Sequence, residues 1–333
     1  MNKKMVFVIA LAAMVLVFSC EKKEKPENDF RVRPLDGGKS LEITAYTGNK
    51  QTVDIPSQLH GIPVTNIGRN AFLKKEIIKV TIPGSVTVIG DRAFAENMLT
   101  SVSVGSGVTT IGVDAFANNM LVKVNLGNKL INIGDKAFRE NQLTSITIPN
   151  GVTIIGNGAF IQNQLGNVSI PKSVTTIGTE VFARNPLGNI TIAPDNAEFI
   201  VKDSYLLSKD EKQIFLYYGI GKSVIIPDGA VVIGAGAFLE KQLTEVTIPD
   251  SITIIGDRAF MENELTAVTI PDSVTIIGDG AFYENKIASV TIGASVNVAR
   301  SAFDNYNFYY TYLNYGRKAG TYIVRNGYWS RQQ

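Results

Sequence analysis

The chain has 333 residues, 45% hydrophobic and 19% charged, a balance too apolar for a disordered protein. Thirty-two cations against thirty carboxylates leave a formal +2, too little for a nucleic-acid groove. One His, one Cys and one Trp exclude a His/Cys zinc cluster, an intrachain disulfide and any histidine chemistry not built on His60.

Lys3 and Lys4 precede an apolar run from Met5 to Phe18. That run is 14 residues, short of the ~20 a membrane-crossing helix needs. A basic start, a short apolar stretch and a small residue at the end describe a secretory signal peptide over 1–19. The run ends Val17-Phe18-Ser19-Cys20, which resembles a bacterial lipobox. The single cysteine therefore sits where lipid attachment needs a thiol, because diacylglycerol joins through a thioether. Cys20 is the predicted lipidation site, and its acyl chains would hold the protein on a membrane. Cleavage before Cys20 removes Lys3 and Lys4 and no carboxylate, so the mature formal charge is zero. Residues 20–40 begin with the charged, apolar-free stretch Glu21 to Asn28 and read as a flexible tether.

Residues 41–194 read as a leading hairpin and a first repeat block. Alternation of apolar and polar residues from Leu41 to Ile55 around Thr47-Gly48-Asn49-Lys50 predicts the hairpin. His60, beside Gly61 in a polar loop, reads as a solvated turn residue. The repeat then declares itself: Phe recurs at 72, 94, 116, 138, 160 and 182, every step being 22, and again at 238, 260 and 282, closing at Phe303 after a step of 21. In one copy, Ile146-Thr147-Ile148 has strand period and Pro149 ends the strand. Val152 to Ile155 is a second short strand, Gly156 turns the chain, and Ala159-Phe160 places a small residue beside a large inward ring. A single coil cannot bury these side chains, so coils must stack. The expected fold is a β-rich solenoid, a right-handed array of ten ~22-residue coils with a parallel sheet. Seven Asn residues, from Asn97 to Asn285, recur two places before the Leu column and should satisfy backbone groups at a buried turn.

Between Phe182 and Phe238 the step is 56, one repeat plus 34 residues. Residues 195–226 hold most of this surplus and read as a hairpin insertion, with Tyr217 and Tyr218 as candidate aromatic anchors of a protruding binding element. The second block runs over 227–303. Residues 304–333 are rich in aromatics and should cap the open end of the core, with Phe303, Phe308, Tyr312, Tyr322 and Trp329 covering it.

The pattern I-P-x-x-V-T-x-I-G-x-x-A-F-x-x-N-x-L-T-x-V-T over about Leu41 to Phe303 resembles the BspA-like, treponemal type of leucine-rich repeat, in a bacterial surface lipoprotein version. The resemblance implies an exported, surface-attached protein that binds host proteins or other bacteria, and it carries no catalytic motif. Where relatives often place Cys, this chain has Asn.

The outward central position of the first strand is Thr81, Ser103, Asn125, Thr147, Ser169, Thr191, Thr247, Thr269 and Thr291. This flat hydroxyl and amide column is the candidate binding face, with Thr147, Thr247 and Thr269 as candidate contacts. It lacks the clustered Arg of a phosphate groove. Glu240, Glu262 and Glu284 recur at 22 and should form an edge stripe, partly balanced by Arg258. The expected function is therefore non-enzymatic. It is a lipid-anchored envelope protein, on the outer membrane or cell surface, that adheres to host or bacterial surface proteins. It needs no cofactor and no metal, and no nucleic acid is implied. A structural envelope scaffold without an extracellular ligand is the alternative.

Overall fold

The computed structural model describes residues 26–304 and 307–332. The signal segment, Cys20 and the start of the tether lie outside the described residues.

Each coil makes three short parallel ladders with its neighbours. The first comes from the alternating segment: Ser145–Thr147 pairs in parallel with Asn167–Ile170, Ile146 opposite Val168. The second comes from the V-T-x-I segment, where Ile154–Ile155 pairs with Asn132–Ile133 on one side and Thr176–Ile177 on the other. The Thr of that segment is a stitch as well as a strand former: Thr175 donates both its N–H (2.9 Å) and its hydroxyl (3.3 Å) to the carbonyl of Thr153. The third ladder runs through the Ala-Phe turn, where Lys136, Phe138 and Glu140 donate to Asn157, Ala159 and Ile161 of the next coil. Lys136 and Glu140 reach it by adopting left-handed conformations, φ 55° and 52°. Such backbone is unfavourable for non-Gly residues, so the inter-coil bonds must offset it.

The Phe side chains are fully buried and stack as rungs. Ring centroids from Phe94 through Phe182 are 5.2–5.8 Å apart and nearly parallel. This spacing is close to the ~4.8 Å between strands, which is why one ring per coil fits. Gly156 is required for a reason other than turning. A Cβ there would sit 2.4 Å from Asp135 Oδ1 and 2.5 Å from Asp135 N, so the residue is small because the coil below presses against it.

The leading hairpin lies elsewhere than predicted. Phe30–Leu35 pairs antiparallel with Ser40–Tyr46, and the tether expected to reach residue 40 therefore ends before Phe30. Thr47 to Lys50, expected as its turn, instead links Tyr46 to Thr52–Asp54, which runs parallel to Lys79–Thr81 as part of a coil. The physical reason is Tyr46: its ring stacks on Phe72 at 5.4 Å and occupies the rung below the first Phe.

The insertion is a three-stranded antiparallel meander, Phe199–Lys202, Tyr205–Ser208 and Gln213–Tyr217. Its last strand runs parallel to Val232–Ile233 and starts the second block. Its side chains divide between two separate cores. Leu206, Leu216 and Tyr218 join the first block, whereas Tyr205, Leu207, Ile214 and Tyr217 join the second. Ten Phe rungs and the two Tyr rungs, Tyr46 and Tyr217, make about twelve turns. The cap forms as expected. The helix Asn307–Asn314 places Phe308 against Phe303 and Trp329, and Gly320–Arg325 pairs antiparallel with Ser289–Ile292 to close the sheet edge.

Candidate protein-binding face

Strand alternation puts Val, Ile and Leu of the first ladder inward and leaves the residue between them outside. Thr81, Ser103, Asn125, Thr147, Ser169, Thr191, Thr247 and Thr269 are all exposed and Thr291 is half-buried. Parallel pairing keeps the column in register, Thr147 opposite Ser169 and Thr269 opposite Thr291. Thr247 and Thr269 are on successive coils of the second block, while Thr147 stands apart in the first.

The insertion breaks this column between Thr191 and Thr247, and the break holds features the sequence reading missed. Ile225 stands opposite Thr247 in the ladder and is 72% exposed; Ile220, just before it, is 97% exposed. The signal was the run Val224-Ile225-Ile226-Pro227, which matches Ile146-Thr147-Ile148-Pro149 with Ile in the Thr position. A groove of about 410 Å³ beside Ile225 is lined by Thr247, Pro249, Asp228 and Asp250. A second, of about 340 Å³, lies on the first block's side against Thr191, Ile192, Ile200 and Lys209.

Tyr217 and Tyr218 do not form a protruding anchor, because both are buried. Tyr217 fills a rung, 5.3 Å from the Phe238 ring, and Tyr218 packs into the first core. Their aromatic surface is spent on separating the blocks. Tyr205, beside them, donates its hydroxyl to the carbonyl of Ile225 at 3.0 Å. Burial, with Tyr217 and Asp203 nearby, raises its pKa.

The Asn column is structural throughout. Asn163 Oδ1 accepts from the Leu143 N–H at 3.0 Å, and Nδ2 donates to the carbonyls of Phe138 at 2.9 Å and Phe160 at 3.1 Å. Each Asn thus joins its own turn to the coil before it. His60 and Gly61 form a tight hairpin turn with φ 53° and 77°, the type I′ conformation, and His60 is exposed.

The acidic edge is balanced differently from expectation. Arg184 pairs with Glu240 at 3.6 Å and also contacts Glu262, whereas Arg258 pairs with Glu180 at 3.1 Å. All three contacts bridge the two blocks across the insertion. Glu180 is buried against Gly236, where a Cβ would sit 2.3 Å from its Cγ. Burial raises the Glu180 carboxyl pKa above its ordinary value, opposed by Arg258, Lys136 and Arg184.

A stack of short parallel strands, one turn to each 22-residue unit, with an exposed polar strand face is the architecture of a leucine-rich repeat. The chain belongs to the BspA-type leucine-rich repeat family, whose six-copy model matches residues 46–200 and 211–321. Among solved structures it is similar to the pneumococcal vaccine antigen PcpA, at 22% identity over 83% of this chain and 85% of that one, TM-score 0.66. It is also similar to a leucine-rich repeat protein of Eubacterium ventriosum, at 26% identity over 80% and 71%, TM-score 0.63. A leucine-rich cell surface protein of Faecalibacterium prausnitzii matches at 25% identity over 80% and 88%, TM-score 0.59. No protein of curated function matches the chain.

Proposed function

We propose that this protein is an exported, lipid-anchored envelope protein that uses the outward strand face to bind host or bacterial surface proteins without catalysis. The observation that carries the binding reading is the break in the threonine column. There, Ile225 stands in the column 72% exposed and lines a shallow groove, and Ile220, five residues before it, is 97% exposed. Exposed apolar side chains set among polar groups mark protein contact, with Ile225 at the centre, Ile220 close to it in the chain and Thr247 and Thr269 in the polar rim. Thr147 extends the same face into the first block. The described F. prausnitzii relative is a cell surface protein, which supports display outside the cell.

Display and anchoring are tested together. Intact cells are treated with protease while wild type and Cys20→Ala are labelled with radioactive palmitate. Label on wild type alone and cleavage on intact cells are expected; an unlabelled wild type removes the anchor, and protection from protease removes surface display. The face is tested by capture of surface proteins on the mature domain with Ile220→Asp/Ile225→Asp as the control. Equal capture by both would discard the face in favour of a structural scaffold role.

A further inference from the structure

The second block ends without one part of its repeat. The Asn column stops at Asn285, and no Asn follows Phe303 at the spacing of three. Lower in the stack, the next Asn closes each turn by accepting from a Leu N–H, as Asn285 Oδ1 does from Leu265 at 3.1 Å. Leu243 and Leu265 are fully buried there, whereas Ile287, next in that column, is only half-buried. Asp304 supplies part of the missing closure, its carboxylate accepting from the Asn285 N–H at 2.9 Å and from the Glu284 N–H. The cap supplies the rest. Val324 and Trp329 are opposite one another in the cap hairpin and both face the core, and the Trp329 ring stands edge-on to Phe308 at 5.1 Å.

This cover is incomplete. A pocket of about 230 Å³ remains between the cap hairpin and the last two rungs, lined by Phe282, Phe303, Ile287, Val324 and Trp329, with Asp304 as its one charged residue. An apolar cavity of ~150 Å³ takes a benzene ring, so this one has room for a ring and a short substituent. Three of its walls are aromatic, and such walls favour an aromatic guest, stacked or edge to face. Its polar demand is one-sided. Trp329 is 7% exposed, and its Nε1–H is buried with no acceptor among the described residues. An indole nitrogen only donates, and a buried donor without an acceptor is costly. The Asp304 carboxylate places a negative charge at the pocket, which disfavours an anion.

We propose that this pocket binds a small neutral aromatic compound carrying one carbonyl oxygen, with its ring among Phe282, Phe303 and Trp329 and its oxygen accepting from the Trp329 Nε1–H. A hydrocarbon of the same shape would leave that N–H unpaired, and a carboxylate would meet Asp304. A long acyl chain exceeds the volume. The inference goes beyond protein binding by the outward strand face and does not depend on it.

Trp329 is the only tryptophan, so its fluorescence and its single indole N–H resonance both report on the pocket. The purified protein is titrated with acetophenone, and with ethylbenzene and benzoate as comparators. Acetophenone should quench the fluorescence saturably and move the indole proton downfield. Ethylbenzene, the same shape without the oxygen, should bind about tenfold more weakly, the loss of one hydrogen bond, and give no downfield shift. Benzoate should also bind more weakly than acetophenone, and Asp304→Asn should narrow that gap. Ile287→Phe fills the space away from the indole and should abolish the quenching while the urea midpoint is kept. Trp329→Phe keeps a ring and loses the donor; ligand-observed NMR should then show acetophenone bound no more tightly than ethylbenzene. That comparison decides alone if Ile287→Phe unfolds the cap. No saturable response to acetophenone would overturn the proposal, as would equal affinity for ethylbenzene, an unmoved indole proton, or unchanged binding to folded Ile287→Phe. Tighter binding of benzoate than of acetophenone would overturn the neutral ligand.

Discussion

The two repeat blocks differ in length, six Phe rungs against four, yet they begin in the same way. In each, an antiparallel strand pair feeds a strand that turns parallel to the first coil: Ser40–Tyr46 beside Ile62–Ile67, and Gln213–Tyr217 beside Val232–Ile233. In each, a Tyr occupies the rung below the first Phe, Tyr46 under Phe72 and Tyr217 under Phe238. Two residues later comes a Gly, at 48 and 219, whose Cβ would collide with the Tyr hydroxyl at 2.5 and 2.2 Å. The first coil of each then has Lys, at 75 and 241, where later coils have Asn, and each Lys donates its backbone N–H to the next Asn. An Asn reaches back to the Phe carbonyl of the preceding coil, and a first coil has no such Phe to reach. The difference lies in the outer face. Arg31 and Arg33 of the leading hairpin are exposed, whereas the insertion is apolar on both faces. One sheet therefore closes the first core and opens the second.

The largest effect should come from adjacent residues of that shared sheet. Leu206 faces the first core and Leu207 the second, and both are fully buried. Each change to Ala should cost about 2–5 kcal/mol, but in different blocks. The single Trp329 lies in the second core, so its fluorescence reports that block alone. Leu207→Ala should move the Trp transition in urea, and Leu206→Ala should move mainly the circular-dichroism transition. If both shift the Trp signal equally, the blocks unfold as one and the partition has no energetic meaning.

The same readout sharpens the comparison for the rungs. Phe160→Ala and Phe260→Ala should each cost about 3–5 kcal/mol, with only the latter felt at Trp329. A smaller loss, about 1–3 kcal/mol, is expected for Asn163→Ala, which leaves the Leu143 N–H without its acceptor inside the core. Asn163→Asp should not rescue it, because a carboxylate cannot donate to the Phe138 and Phe160 carbonyls.

The smallest effect concerns the ionic bridge between blocks. The Glu180 carboxyl pKa is raised in the folded protein, so the folded state holds more protons than the unfolded one between the ordinary and the raised value. Stability should fall as pH rises through that window. Glu180→Gln should remove this slope and gain about 1 kcal/mol or less at neutral pH, measured by urea midpoints from pH 4 to 7. A steeper slope in the variant would show that pairing with Arg258 outweighs burial.

Much of this architecture was legible because it repeats. The 22-residue step, the Phe and Asn columns and the aromatic cap each recur or stand out against a regular background, so their roles could be read from residue type alone. The leading strand was missed because Phe30 lies in a charged stretch where nothing repeats. Tyr217 and Tyr218 misled because strand-like aromatic residues look alike in sequence whether a strand has one covered face or two. Gly156 was read as a conformational need, since the neighbouring coil that crowds it is 22 residues away. The candidate face was legible in its Thr residues but not in Ile225, which only register with Thr247 reveals. Arg184 and Glu262 are 78 residues apart, and their meeting follows from the insertion's thickness, which composition does not encode.

The Asn hydrogen bonds also make the molecule a length standard. Each Asn of the column contacts a carbonyl 25 residues upstream and an N–H 20 residues upstream, offsets that are identical at all seven positions from Asn97 to Asn285. Gain or loss of one 22-residue unit inside a block leaves all such offsets satisfied and shifts the far end by about one strand spacing, ~4.8 Å. Reach can therefore change in fixed increments without any change in the surfaces at either end, while a gain of 21 or 23 residues would misalign every bond at the splice.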